Sequence, residues 1–466
     1  MGERELIGLA GLVVFFILLL LKARVAFAMV FVGILGTFFL SLSLSYVKFI
    51  PYVLQYKSLL WENMANYELS VIPLFILMGY LASHTKLAED LFQGMNAILG
   101  RFKGGVAITA IGACAGFGAV SGSSLATAST MGKIALPELD KLNYNPRLST
   151  GTLAAGGTLG ILIPPSIALV LYSIVVEASI IEMFQAAIVP GLIAVLFFIV
   201  VIMIQVRLKP EIAPASEPLS KEDRNRALLR LIPVVLTFGS IILGLGLGLF
   251  TPTPAAAAGV FIIAVYGLFL RIKGGKGEGL TLKRLRDSLV ETATSSAMIY
   301  YILFGAEVLK GFFSRSGLPQ SIAEWAVSVQ VSPWIVLIGL LLIFIILGFF
   351  MDSMAMILVV IPFIWPVLIS INGGEYVTAS TSGFGMTNDD LKIWFGILAL
   401  ISVELGLITP PVGLNVFIIS QISKNVPMME TFKGVMPFFG AEIIRIGVLL
   451  LLPWIVLIVP HWLAAG

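Results

Sequence analysis

Apolar runs of about the length needed to cross the hydrocarbon core of a bilayer as helices recur along the chain. They fall near 6–21, 25–45, 69–82, 149–178, 184–206, 231–249, 255–270, 287–309, 392–422 and 440–459, and predict ten crossings. Two further apolar stretches, 106–132 and 333–371, are interrupted near the middle by glycine, serine, proline or an aspartate. Non-helical backbone at membrane depth is stable only inside protein or beside a wet cavity. Both stretches are therefore predicted to be re-entrant helical hairpins at a site rather than spans facing lipid.

The runs repeat in order. Two spans, a third span, an amphipathic stretch (88–100), a hairpin, a broken span and a final span make up the first half, and 231–249, 255–270, 287–309, 318–330, 333–371, 392–422 and 440–459 follow the same order. Five crossings per half is an odd number, so the halves have opposite orientation. The expected fold is an all-α polytopic membrane protein with an inverted-topology repeat. Residues 1–206 form the first repeat, with scaffold spans in 1–68 and hairpin 1 and a broken helix in 106–178. Residues 207–230 form a cytoplasmic linker, with Pro210, Pro214 and Pro218 among charges, and 231–466 form the second repeat.

Composition and charge agree with this layout. Of the 466 residues, 58% are hydrophobic and 12% charged, far from the soluble norm of about 25% charged. Placing 22–24, 83–105, 133–147, 207–230, 271–286 and 423–439 in the cytoplasm collects 22 of the 29 Lys and Arg residues there, as the positive-inside rule requires. The 271–286 loop is the strongest marker, with Arg271, Lys273, Lys276, Lys283, Arg284 and Arg286 against Glu278. Both termini then face the periplasm, and Arg445 falls inside the last span. The first apolar run has its positive charge, Lys22 and Arg24, after the core rather than before it, so it is expected to remain as a span rather than serve as a cleaved signal peptide. A net charge of +3 gives no case for nucleic acid. One cysteine, Cys114, excludes an internal disulfide framework, and two histidines, His84 and His461, offer no imidazole-rich metal site.

Candidate chemistry lies at the interruptions. Gly160-Ile-Leu-Ile-Pro-Pro and Gly406-Leu-Ile-Thr-Pro-Pro lie 246 positions apart, and broken segments at corresponding places in two halves point to a transporter's binding site. Each proline pair removes consecutive backbone donors and turns the preceding residue from helical geometry. Carbonyls of Gly160 to Ile163 and of Gly406 to Thr409 become available to a cation, while the next half-helix presents free amides and a positive dipole end to a carboxylate. Hairpin 1 carries Ser121, Gly122, Ser123, Ser124 and Thr127; these small residues either supply oxygens to a sodium ion or let helices pack closely. In hairpin 2, Gly348 precedes Asp352, a carboxylate that either binds sodium or caps the hairpin's second helix. Glu404 serves the same site or a helix contact, and Asn415 reaches the cavity or makes a packing hydrogen bond. Glu177, Glu182, Glu307 and Glu442, near span ends, are expected to be solvated or interfacial. The 373–390 segment, with Asp389 and Asp390, reads as an external loop. No histidine lies near Ser121 or Ser123 to activate a nucleophile, so an enzyme is not expected. A gated site suits two inverted hairpins better than an open channel.

Ser121-Gly-Ser-Ser-x-Ala-Thr, Pro137-Glu138-Leu139, Gly160-Ile-Leu-Ile-Pro-Pro-Ser166, Met183-Phe-Gln-Ala-Ala-Ile-Val-Pro-Gly191 and Glu404-Leu-Gly-Leu-Ile-Thr-Pro-Pro-Val-Gly-Leu-Asn415 resemble the large membrane subunit of the tripartite ATP-independent periplasmic (TRAP) transporters. The resemblance covers nearly the whole chain. It implies sodium-driven import of an organic acid, often a dicarboxylate or sialic acid, across the bacterial cytoplasmic (inner) membrane by an elevator-like motion. It also implies Na+ as coupling ion and two partners, a small four-helix membrane subunit, here expected as a separate chain, and a soluble periplasmic substrate-binding protein. The ion-site residues it implies are Ser121, Gly122, Gly160, Pro164, Gly348, Asp352, Gly406 and Thr409. Substrate contacts are expected from Ser123, Ser124, Thr127, Ser166, Val412, Gly413 and Asn415. The 373–390 loop is longer than the family's usual connection. The competing expectation is an elevator-type anion carrier that needs no binding protein.

Overall fold

The computed structural model describes residues 2–215, 220–246, 248–274, 279–328, 331–424 and 426–464. Pro218 of the linker, Lys276 and Glu278 of the basic loop, and residues 329–330 of the second amphipathic stretch lie outside the described residues. The first half contains α1 (Glu3–Leu20), α2 (Val25–Ser43), α3 (Phe49–Ala65), α4 (Val71–His84), α5 (Leu87–Leu99), α6 (Gly105–Ser121), α7 (Ser124–Lys141), α8 (Pro146–Leu162), α9 (Ile167–Val175) and α10 (Ile180–Leu208). The second contains α11 (Lys221–Leu229), α12 (Ile232–Gly246), α13 (Pro252–Gly274), α14 (Leu282–Ser316), α15 (Leu318–Ser328), α16 (Pro333–Gly348), α17 (Ser353–Asn372), α18 (Asn388–Ile408), α19 (Leu414–Ser423), α20 (Met428–Leu451) and α21 (Trp454–Ala464). Among the described residues eight helices are long and apolar enough to cross a membrane, or up to ten if each of two bent pairs counts as one span.

The caps follow from local chemistry. Asn145 accepts from the Arg147 amide at 3.0 Å with Pro146 in the first turn of α8, and Thr387 accepts from the Asp390 amide at 3.2 Å at the start of α18. Beyond their first turns α8 and α18 are apolar or small on nearly every side, Glu404 excepted, and such helices bury completely: every residue from Leu148 to Leu162 is buried, as is every residue from Ile393 to Ile408. They pack on one another at the centre.

The packing is paired across the two halves. α2 lies on α14 as α13 lies on α4, and α6 lies on α8 as α16 lies on α18. The short helices after each break cross over, α9 onto α17 and α19 onto α7. Both interrupted stretches form two-helix hairpins, α6 with α7 and α16 with α17, the first with a second arm reaching Lys141.

Three boundaries differ from the pattern-based expectation. Residues 49–65 form a helix, α3, because Tyr52 and Tyr56 bury against Phe304 and Val308 of α14, with the Arg315 guanidinium 3.8 Å over the Tyr52 ring. That one-sided burial leaves no long apolar run to read. The last span is Met428–Leu451 rather than 440–459; Pro453, with no amide hydrogen, separates it from α21. The central apolar run of α14 extends into a 35-residue helix, Leu282–Ser316, whose buried positions run from Ser288 to Ser316. The 373–390 segment is an irregular but tied loop. The Asn372 amide donates to the Met386 carbonyl at 3.3 Å and to Asn388 Oδ1 at 2.9 Å, and its Oδ1 accepts from the Phe384 amide at 3.2 Å.

Candidate ion and substrate site

Hairpin 1 turns at Gly122, whose φ of +60° is one that side chains rarely adopt. The turn places Ser121 Oγ 2.8 Å from Thr127 Oγ1 and 3.4 Å from the Ser123 carbonyl, and Ser123 caps α7 by accepting from the Ala126 amide. The broken helix passes beside it: a Cβ at Gly160 would stand 2.6 Å from Thr127 Oγ1 and 2.8 Å from the Ser123 carbonyl oxygen, and one at Gly118 would stand 2.5 Å from the Gly160 Cα. Only glycine allows this approach. After Pro164 and Pro165, Ser166 caps α9 by accepting from the Leu169 amide, and a Cβ at Gly122 would stand 3.5 Å from the Ser166 Cα. Ser121, Gly122, Ser123, Thr127, Gly160, Pro164 and Ser166 thus share one neighbourhood.

The second half repeats the arrangement with different donors. A Cβ at Gly406 would stand 2.6 Å from the Gly348 Cα, and one at Gly348 would stand 2.9 Å from the Val403 carbonyl. Asp352 occupies the capping position of α17 and accepts from the Met354 amide at 3.2 Å. It therefore does cap its helix, and its half-buried carboxylate also lies at the hairpin tip. Gly413, at φ +55°, starts α19 with no side-chain cap, so that the first amides of α19 are not taken by a capping side chain. The two breaks differ in access. Pro164 and Pro165 are buried, whereas Pro410 and Pro411 are exposed.

Other candidates are less available. The Thr409 hydroxyl donates back to the Leu405 carbonyl. A side chain at Gly413 would meet the Phe432 ring, and Val412 is half-buried beside it. Asn415, fully buried, donates from Nδ2 to the Ala154 carbonyl at 3.4 Å while its Oδ1 has no partner among the described residues. A Cβ at Gly157 would stand 3.0 Å from Asn415 Nδ2 and 3.3 Å from the Ser124 carbonyl, so Asn415 sits beside hairpin 1, not hairpin 2.

Glu404 ties the two neighbourhoods together. It is 1% exposed, and it accepts from Ser124 Oγ at 2.6 Å and from Ser353 Oγ at 2.9 Å. Ser124 belongs to hairpin 1 and Ser353 to hairpin 2. Ser353 does not stand out in the sequence pattern; the available signal is that Ser124 and Ser353 are each the first residue of a hairpin's second arm.

Glu442 overturns an expectation. It is 3% exposed and pairs with Arg445, which is fully buried and donates from Nη1 to the Pro190 carbonyl at 3.1 Å. The solvated reading failed because the last span begins twelve residues earlier than the apolar run suggested, which places Glu442 mid-helix. The neighbouring Gly191 lies against Ile163: a Cβ there would stand 3.2 Å from Ile163 Cγ1. This pair therefore braces α10 next to the first break.

Taken together, carbonyl, hydroxyl and carboxylate oxygens at the tips suit a hard cation, and half-helix starts suit an anion. Residues 12–455 match the sequence model of the tripartite ATP-independent periplasmic transporter, DctM component. The chain is 31% identical over 408 residues to the C4-dicarboxylate TRAP transporter large permease protein DctM of Pseudomonas aeruginosa, covering 87% of this chain and 88% of that one. It is 26% identical to the sialic acid TRAP transporter large permease protein SiaM of Vibrio cholerae, covering 85% and 87% of the two. Its fold resembles the crystal structure of the Alcanivorax borkumensis YdaH transporter, a chain of unusual topology, with a TM-score of 0.58 at 15% identity over 85% of this chain and 87% of that one. A match along nearly the whole length, joined to an all-helical fold with two hairpins and two broken helices, places the chain in the family of TRAP transporter large membrane subunits, as a multi-pass inner-membrane protein.

Proposed function

We propose that this subunit imports an organic acid, a C4-dicarboxylate or a sialic acid, by symport with Na+. It receives the acid from a soluble periplasmic binding protein and works together with a small membrane subunit. The observation that carries the reading is the convergence of two hairpin tips on two helix breaks, with oxygens lining the tips and uncapped amides at the start of α19. The curated relatives include carriers named for each substrate class. Na+ would be held by the Ser121 hydroxyl, tip and break carbonyls and Asp352, and the substrate carboxylate by the half-helix starts and neighbouring hydroxyls. The closely packed unit of hairpins and broken helices would move as one against α1, α2, α4 and α12–α14, carrying the site between the two faces.

The test is uptake of labelled succinate and sialic acid into proteoliposomes holding this chain with its small subunit. Uptake that requires both an inward sodium gradient and the cognate binding protein is the expected result. Sodium-driven uptake without any binding protein would replace the tripartite reading with a self-sufficient anion carrier. Uptake indifferent to sodium would overturn the symport.

A further inference from the structure

The two hairpins share one buried carboxylate. Ser124 and Ser353 stand 229 positions apart at the same register, each the first residue after a hairpin turn and each donating to a different oxygen of Glu404. Glu404 lies on α18 two residues before Gly406, which abuts Gly348 of hairpin 2. Three elements therefore meet at one side chain.

The first half has no counterpart. The residue 246 positions before Glu404 is Thr158, whose hydroxyl donates to the Ala155 carbonyl of its own helix at 2.6 Å. The repeat thus supplies two serines but one acceptor, and both hairpins depend on it. None of the ion pairs among the described residues gives Glu404 a Lys, Arg or His partner. Its two carboxyl oxygens are instead met by two hydroxyls at the starts of α7 and α17, where the positive ends of the helix dipoles lie.

We propose that Glu404 is a positioning residue that clasps the tips of both hairpins to α18, so that the ion-binding oxygens of the two halves are held in register and form together. This rests on the sodium reading above. Ion affinity depends on holding ligands within a fraction of an ångström, so a loosened clasp lowers sodium affinity without removing a sodium ligand.

The test is sodium-dependent thermal stabilisation of the purified complete chain with its small subunit, with choline chloride keeping the ionic strength constant. Glu404→Ala is expected to raise the half-saturating sodium concentration about tenfold, the scale of losing one buried hydrogen bond. Glu404→Gln, which reaches both serines with one acceptor and one donor, is expected to recover most of that loss. Ser124→Ala with Ser353→Ala should match Glu404→Ala, and adding it to Glu404→Ala should change nothing further. If Glu404→Ala does not fold, the serine pair carries the test with the carboxylate intact. A lowered melting temperature in choline with unchanged half-saturating sodium would reduce Glu404 to a packing role and overturn the clasp. A wild-type protein with no sodium-specific stabilisation would overturn the sodium reading, and the clasp with it.

Discussion

Asp352 shows how one residue can hold two roles that different substitutions separate. Its carboxylate caps α17 through the Met354 amide. Asn caps about as well as Asp, whereas Ala costs about 1 kcal/mol. Asp352→Asn is therefore expected to keep the melting temperature of the wild type while weakening sodium-driven uptake, and Asp352→Ala to lower both. Equal sodium dependence in Asp352→Asn and wild type would leave the cap as its whole role. Glycine contacts give a second prediction at this scale. A methyl at Gly160 collides with the Ser123 carbonyl and Thr127, while Gly239 has nothing within 4 Å of a built Cβ. Gly160→Ala should destabilise by about 1–3 kcal/mol, and Gly239→Ala in mid-helix should be neutral or stabilise by about 0.5–1 kcal/mol; thermal unfolding in detergent reads both. The importance of Gly160 was legible in the duplicated motif, but its partners, Thr127 and Gly118, were not.

Among the elements, α20 carries the clearest energetic test. Arg445 is fully buried, pairs with Glu442 and donates to the Pro190 carbonyl. Removing one member of a buried pair leaves the other uncompensated, a loss of about 3–5 kcal/mol, whereas replacing both with apolar residues is often neutral. Arg445→Leu alone should therefore unfold at a markedly lower temperature, and Glu442→Leu with Arg445→Leu should return toward the wild type. A double variant as unstable as the single would mean the pair is not the stabilising unit. The hairpins and broken helices were readable as elements because glycine, serine and proline interrupt apolar runs. α3 was not, because its burial is one-sided and depends on the face that α14 presents.

Across the molecule, hairpin 1 packs on α4, α5 and α10, and hairpin 2 on α14 and α15. Gly79 of α4 lies against Ser121, its built Cβ 3.0 Å from the Ser121 Cα, and Phe313 of α14 stacks edge-on with Phe363 of α17 at 4.3 Å between ring centroids. If the hairpin unit slides during transport, a covalent bond there stops it. Phe313→Cys with Phe363→Cys, in a Cys114→Ser background, should transport when reduced, lose uptake on oxidation and regain it with reductant. Uptake that persists in fully cross-linked protein would rule out relative movement at this contact.

Membrane class, helical content, the two hairpins, the two breaks and the family are legible in the residues alone, because each is written in local terms: apolar run length, proline pairs and long motifs. Packing fixes where the last span begins, that Glu442 is buried beside Arg445, that Asn415 sits against hairpin 1 and that Glu404 accepts from both hairpins. These depend on which distant helices touch. Ser124 and Glu404 are 280 positions apart, and a hydrogen bond over that separation is set by the packing of α7, α17 and α18 rather than by any pattern within them.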